Sequence, residues 1–250
     1  MPTISDYAIC IRRWDFSETS QTVSLFTRES GIIRGLAKGA KREKGKFSGG
    51  FDLLTLGQVV AIIKPGRDLA TITEWDLQET NRHLRANLKV NKTALYIADL
   101  IHHMLTDHDP HLTLFDQLRE TLDRMRQLSE VDNHLFQFQW NLLDETGYRP
   151  QLDHDAETGG ELDDDVPTLA FSPVAGGVVA DSGAGDRWRV RVETVRILRQ
   201  VAAGIPLDSV DPSLVERGNR LLAAYFRELI GSEPAAMRWR FGELMGKPSN

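Results

Sequence analysis

The hydrophobic periodicity of this chain changes near Asp76. Up to about residue 76, apolar residues come in short runs separated by turn residues, which is typical of β-strands. After Asp76, apolar residues recur every three or four positions, which is typical of amphipathic helices. A run of strands followed by a run of helices favours an α+β multi-domain protein, with a β-domain over residues 1–78 and a helical domain over residues 79–250.

The β-domain is predicted to be a small barrel. Pro65 and Gly66 favour a tight turn between its last two strands. Several short strands within so few residues are typical of barrels such as the OB-fold, which commonly binds oligonucleotides. The expected strands are Tyr7–Ile11, Thr22–Thr27, Ile32–Ala37, Val59–Ile63 and Ala70–Trp75.

The second part of the chain is predicted to be helical with one interruption. Residues 149–189 are acidic and rich in glycine, and they break the helical spacing, so we expect an irregular insertion there. The expected helices are Thr80–Leu105, Leu112–Leu128, Asn133–Glu145, Glu193–Ala203, Pro212–Ile230 and Met237–Met245.

Charge is sorted along the chain. The formal net charge of −6 argues mildly against a nucleic-acid partner, since such proteins usually carry a basic surface. However, residues 28–46 contain seven basic residues against two acidic ones, whereas residues 153–165 contain seven acidic residues and no Lys or Arg. The distribution therefore matters more than the sum, and it leaves a nucleic-acid partner open.

The segment Gly35–Phe47 has the composition of a phosphate-binding loop. Its glycines allow the backbone to approach a ligand closely, its cations neutralise phosphates, and Phe47 offers a ring for base stacking. A solvated surface loop is the competing interpretation, and Arg12 and Arg13 together with Arg34 are the alternative location. The predicted DNA-binding residues are Arg34, Lys38, Lys41, Arg42, Lys44, Lys46 and Phe47.

No catalytic or metal-binding motif is present in the sequence. His102 and His103 are adjacent, so on a helix they point about 100° apart and cannot share an ion well. The acidic stretch lacks the spacing of an EF-hand loop, and neither a Gly-x-Ser-x-Gly elbow nor a Walker loop occurs. We therefore predict no enzymatic activity. A hydrolase using acidic and histidine residues between 102 and 165 is an alternative that the missing motifs disfavour.

The single cysteine, Cys10, excludes an intrachain disulfide and a thiolate metal site. No apolar run reaches the ~18 residues that a membrane-spanning helix needs. The N-terminal residues lack the pattern of a signal peptide. A cytoplasmic protein is the expectation.

Several stretches of the chain resemble the RecO family of bacterial DNA-repair proteins. Their order and spacing match along nearly the whole sequence. They are Ser24–Ala40, Gly66–Thr73, Thr146–Leu152 and Phe171–Val179.

The resemblance implies an N-terminal OB-fold, a helical domain and an inserted zinc module. It also implies a non-enzymatic protein that binds single- and double-stranded DNA, anneals complementary strands and helps to load recombinase with the partner RecR. An OB-fold module outside DNA repair that binds RNA or another protein is the alternative.

The chain departs from the family at the zinc module. Many members carry two Cys-x-x-Cys pairs, and the corresponding positions here are Asp155, Thr158, Ala180 and Gly183. The departure implies a metal-free module with no cofactor, because two of these residues have no ligating side chain. We expect a hairpin that includes Phe171 and Val178, beside a solvated, mobile acidic loop over residues 153–165. A rebuilt site is the rival interpretation, and it would use His154 with Asp153, Asp155, Glu157 or Asp181.

The resemblance further implies that the helical domain binds the acidic C-terminal tail of single-strand-binding protein. Arg119, Arg124 and Arg126 lie on one predicted helix and are the candidate contacts, since arginine pairs well with carboxylates. Solvated surface arginines are the alternative interpretation.

Overall fold

The computed structural model describes residues 2–42, 46–47, 50–244 and 246. Its residues form two compact units, 1–126 and 127–250. The division lies far beyond residue 78, because the first two α-helices group with the β-strands. No helix in the described part of the chain is long and apolar enough to cross a membrane.

The first unit contains a closed barrel with strand order β1-β2-β3-β5-β4, in which β1 also pairs with β4. The predicted OB-type barrel is thus confirmed. β1 is longer than expected because its first half pairs with β4 and its second half with β2, with a bulge at Ile11. The strands are β1 (Thr3–Asp15), β2 (Gln21–Thr27), β3 (Gly31–Ala37), β4 (Leu56–Ile62) and β5 (Ala70–Glu79).

Apolar side chains from every strand fill the barrel, among them Val23, Leu25 and Ile72. A short parallel pairing between β3 and β5 closes it. At this seam, a Cβ on Gly35 would lie 2.5 Å from Ile72 Cδ1, which is far below van der Waals contact. Glycine at position 35 therefore lets the two strands approach each other.

A 3-10 helix, Arg82–Arg85, leads into α1 (Leu88–Met104) and α2 (Leu112–Arg124). The prediction of a single helix that begins at Thr80 is wrong at its N-terminal end. Asn81 is left-handed (φ 47°), and Asn87 is extended, with a side chain that accepts the backbone N–H groups of Lys89 and Val90. Such a cap begins a new helix at Leu88.

The second unit packs helices around an inserted three-stranded sheet. Buried Gln139 on α3 donates to Asn219 on α5 at 2.7 Å, which pairs two polar side chains inside this core. Its elements are a 3-10 helix (Leu128–Glu130), α3 (Val131–Glu145), β6 (Thr168–Ser172), β7 (Gly177–Val179), β8 (Trp188–Arg191), α4 (Val192–Ala202), α5 (Pro212–Ile230) and α6 (Ala235–Phe241).

The expected hairpin in the insertion is confirmed by the pairing of β6 with β7. Its Phe171 ring packs edge-on against Tyr225 of α5, with centroids 5.1 Å apart. β8 was not predicted, because residues 149–189 were expected to be irregular. The sequence signal was short: buried Trp188 and Val190 alternate with exposed arginines over only four residues.

Candidate nucleic-acid interface

A row of side chains crosses the outer face of the barrel. In-register pairing aligns Trp14 with Thr22, Thr22 with Leu36, and Leu36 with Thr71. Paired residues share a face, and Val23, which follows Thr22, lines the interior. The row therefore faces outwards. Trp14 keeps 48% of its surface exposed, so its ring is accessible.

The neighbouring row on this face is cationic. Arg12 pairs in register with Ser24, and Ser24 with Arg34. Arg34 Nε lies 3.2 Å from Asp107 Oδ1, and Arg12 Nη2 lies 2.7 Å from Asp99 Oδ1. An aromatic and apolar row thus runs beside two guanidinium groups that flank the buried Ser24 and already pair with carboxylates. Aromatic rings beside cations are the combination found where proteins bind single strands, and a phosphate would have to compete with Asp99 and Asp107 for these two arginines.

The pKa of His102 reflects the positive charge at this face. Burial, followed by the positive charges of Arg12, His103 and Arg34, lowers the pKa of His102 from 6.5 to about 4. Its imidazole is therefore neutral at physiological pH. A nearby anion would counteract the arginine charges and raise this pKa.

The basic loop lies against the β1–β2 turn. Lys41 Nζ lies 2.7 Å from Asp15 Oδ1, and the Lys41 N–H donates to the Thr19 carbonyl at 3.0 Å. The hydrogen bond from Lys41 lowers the pKa of the Asp15 carboxyl. Phe16 follows Asp15 in the chain and is 64% exposed. The structure thus brings a predicted cation to a turn with an accessible aromatic ring.

The other predicted cations of the loop differ in their surroundings. Lys38 and Arg42 are exposed and form no ion pair with any carboxylate in the described ranges. Lys46 is exposed and pairs with the Glu74 carboxylate. Lys44 lies outside the described residues.

Among the predicted contacts that the structure describes, Phe47 is the one whose placement it contradicts. Only 8% of its surface is exposed, and its ring packs 6.1 Å from Phe51, which in turn lies 4.7 Å from the Trp75 ring. These rings belong to the barrel core. The prediction of a stacking face at Phe47 is wrong in this structure, because the ring packs into the apolar core of the barrel.

Sequence reasoning missed the accessible aromatic residues Trp14 and Phe16. The available signal was the alternation of β1, in which Arg12 and Trp14 fall on one face beyond the bulge. It also missed Arg67 in the exposed β4–β5 turn, although this turn lies within a stretch that resembles the family. In OB-folds, the β1–β2 and β4–β5 loops commonly border the oligonucleotide site.

The three arginines predicted to bind an acidic tail are already paired. The pairs are Arg119 with Glu79 at 3.3 Å, Arg124 with Glu120 at 2.5 Å, and Arg126 with Asp123 at 2.8 Å. The groove at Arg119 is lined mainly by carboxylates, and Arg126 lies beyond the end of α2. This geometry does not favour an acidic ligand, and the assignment stays a prediction.

Asp155 stands at the first of the four positions at which the family resemblance implies zinc ligands. Its Oδ1 accepts the N–H groups of Glu157 at 3.0 Å and Thr158 at 2.9 Å, and its Oδ2 accepts that of Ala180 at 2.8 Å. The carboxylate is buried and engaged by backbone donors. Among the described residues, no group of three or more metal-binding side chains converges. These residues do not fit a zinc ion.

The expectation of a solvated acidic loop is wrong at two positions. Asp155 is buried, and Asp164 Oδ2 lies 2.5 Å from Arg199 Nη1. Both carboxylates stabilise the insertion.

Comparison with protein families covers both parts of the chain. Residues 1–81 match the model described as "Recombination protein O N terminal", and residues 85–238 match "Recombination protein O C terminal". The chain belongs to the RecO family. The resemblance drawn from the sequence is therefore confirmed.

Curated relatives of this family carry the name "DNA repair protein RecO". The protein from Rhodopirellula baltica is 35% identical over 175 residues, which is 70% of this chain and 65% of that protein. The protein from Dehalococcoides mccartyi strain CBDB1 is 26% identical over 93% of this chain and 92% of its own length. That from Anaeromyxobacter sp. strain Fw109-5 is 28% identical over 95% and 96%, respectively.

Proposed function

We propose that this chain acts in DNA repair without catalysis: it binds single- and double-stranded DNA, anneals complementary strands and helps to load recombinase with RecR. Membership of the RecO family and the names of its relatives support this proposal. The observation that carries it is the outward-facing row through exposed Trp14 and half-buried Leu36, beside the arginine row on the barrel. This arrangement offers ring stacking and phosphate contacts to one strand.

The chemistry of this face fits a strand of any sequence. Stacking on an aromatic ring contributes about 1–3 kcal/mol per base and tolerates every base, since each has a π-face. Arg34 and the loop lysines would neutralise phosphates, whose contacts carry no sequence information. A strand held in this way keeps the Watson–Crick edges of its unstacked bases available, which is what annealing to a complement requires.

The acidic tail of single-strand-binding protein is a proposed partner with two candidate sites. One is the set Arg119, Arg124 and Arg126. The other is a cavity of about 380 Å³ in the second unit, whose lining includes Trp140 and Arg149. A tail peptide titrated against the triple alanine variant and against Arg149→Ala distinguishes them.

The basic loop provides the sharpest test of DNA binding. The triple variant K38A/K41A/R42A should weaken binding of labelled single-stranded DNA. It should also flatten the log–log salt dependence by ~0.7 per lost contact. The measurement is fluorescence anisotropy over a range of salt concentrations, with an RNA of the same sequence in parallel.

The matched control is R119A/R124A/R126A, which removes the same charge from α2 and its C-terminal side. If both triple variants weakened DNA binding equally, the loop would contribute only through the overall charge of the protein. Tighter binding of RNA than of DNA by the parent would favour the RNA-binding alternative.

A further inference from the structure

A second cationic surface lies at the junction of the 3-10 helix and α1. From Thr80 to Ala98 the sequence contains no Asp or Glu. Arg82, Arg85 and Lys89 are exposed, and Lys92 is half-buried. We call these four residues the junction patch. Its density of positive charge is unusual in a chain with a net charge of −6.

The local fold fixes the direction of these side chains. Asn81 Nδ2 donates to the Leu54 carbonyl at 2.8 Å, and Leu84 is buried, which holds the 3-10 helix against the barrel with its arginines outside. In α1, Val90 is buried, while Lys89 and Lys92 are three residues apart and share a side.

Electrostatics make this junction receptive to an anion. No acidic residue lies in the first turn of α1, where the helix dipole is positive. Arg82 and Lys92 form no ion pair with any acidic residue in the described part of the chain. The side chains of Arg82 and Lys92 are therefore available to an anionic group such as a phosphate.

The junction patch borders the barrel face. Arg85 Nη2 lies 2.8 Å from Asp52 Oδ2, and Arg13 Nε lies 3.5 Å from Asp52 Oδ1. Arg13 precedes Trp14, the exposed first member of the outward-facing row. One carboxylate thus joins the end of β1 to the start of the helical segment.

We propose that a single DNA strand bound on the barrel face continues over the junction patch, which contacts its phosphates. The inference rests on the proposed function and extends the DNA-binding site beyond the barrel. The patch consists of cations and has no aromatic ring, so its contacts are to the backbone and independent of sequence.

The test compares R82A/K92A with the matched control R191A/R238A, which also removes two cationic side chains, both exposed and both outside the barrel and the junction patch. Each protein is titrated with single-stranded oligonucleotides of about 8 and about 30 nucleotides, the shorter fitting one OB-fold. For the long oligonucleotide, R82A/K92A should lower the affinity several-fold and reduce the salt slope by ~1.4, or ~0.7 per contact. For the short one, both variants should match the parent.

Three outcomes overturn the inference. If the parent binds both oligonucleotides and R82A/K92A behaves as the control, the strand does not reach the patch, although the proposed function stands. If R82A/K92A instead loses affinity only for a polyglutamate peptide, the patch serves an acidic protein partner. If the parent binds neither oligonucleotide, the proposed function fails together with this extension.

Discussion

Phe47 and Trp14 are both aromatic residues of the first unit, yet the barrel buries one ring and exposes the other. Phe47 packs on Phe51 and covers the core, whereas Trp14 stands on the outer face in register with Thr22. Both rings have the chemistry for base stacking, but only an exposed ring can receive a base. Accessibility, not residue type, therefore separates a binding residue from a core residue here.

Alanine at these two positions should separate binding from stability. Trp14→Ala should weaken single-stranded DNA binding by about 1–3 kcal/mol, the contribution of one stacked base, and leave the free energy of unfolding nearly unchanged. Phe47→Ala should lower the free energy of unfolding by about 3–5 kcal/mol through loss of core packing. Anisotropy titrations and urea denaturation measure the two effects. A folded Phe47→Ala variant that binds DNA more weakly than Trp14→Ala would contradict this assignment.

At the scale of elements, the insertion in the second unit is held together by a carboxylate. Asp155 connects its own turn, through Glu157 and Thr158, to the end of β7, through Ala180. Burial raises the pKa of Asp155, but these three N–H groups lower it, and the net direction is down. The charged carboxylate is therefore the form that stabilises the folded insertion.

Asp155→Asn should destabilise the protein by about 1–3 kcal/mol, because an amide NH₂ replaces one acceptor and leaves a backbone N–H unpaired. Since the folded pKa lies below the ordinary value of 3.8, the contribution of the carboxylate is present above pH 3.8 and lost as the pH falls through the folded pKa. Urea denaturation at neutral pH and near pH 3 measures both effects. The matched control is Asp153→Asn, whose carboxylate is exposed. Equal losses in the two variants would refute the role of Asp155.

At the scale of the whole molecule, the barrel and the first two helices form one compact unit, residues 1–126. Phe26 on the outer side of β2 packs edge-on against Phe115 of α2, with centroids 5.5 Å apart. Ile32 of β3 accepts the N–H of His108 from the α1–α2 connection at 3.1 Å. Helices thus cover apolar parts of the barrel's outer surface that strands alone would leave in water.

A fragment of residues 1–126 should fold cooperatively and retain the salt-dependent DNA binding of the parent. A fragment of residues 1–78 should be much less stable, because each large apolar side chain that returns to water costs about 1.5–3 kcal/mol. Thermal and urea denaturation, with anisotropy titrations, test both fragments. Two fragments of equal stability would show that the barrel needs no helical cover.

The sequence by itself determined the element types and the family. Short apolar runs separated by turn residues up to about residue 76, and spacing of three to four afterwards, are local signals. They predicted the barrel, the helices and even the limits Pro212–Ile230 of α5. The apolar spacing did not predict the break between the 3-10 helix and α1, where Asn81 is left-handed and Asn87 caps the new helix. Motif order along the chain identified the RecO family without any knowledge of contacts.

Only the tertiary structure decided which residues share a surface. Asp52 meets both Arg13 and Arg85, and Asp155 meets Ala180, over separations in sequence that no local pattern encodes. Strand register placed Trp14 outside, whereas closure of the barrel end drew Phe47 inside. The physical reason is that secondary structure follows from neighbouring residues, whereas burial and ion pairing depend on how distant segments pack.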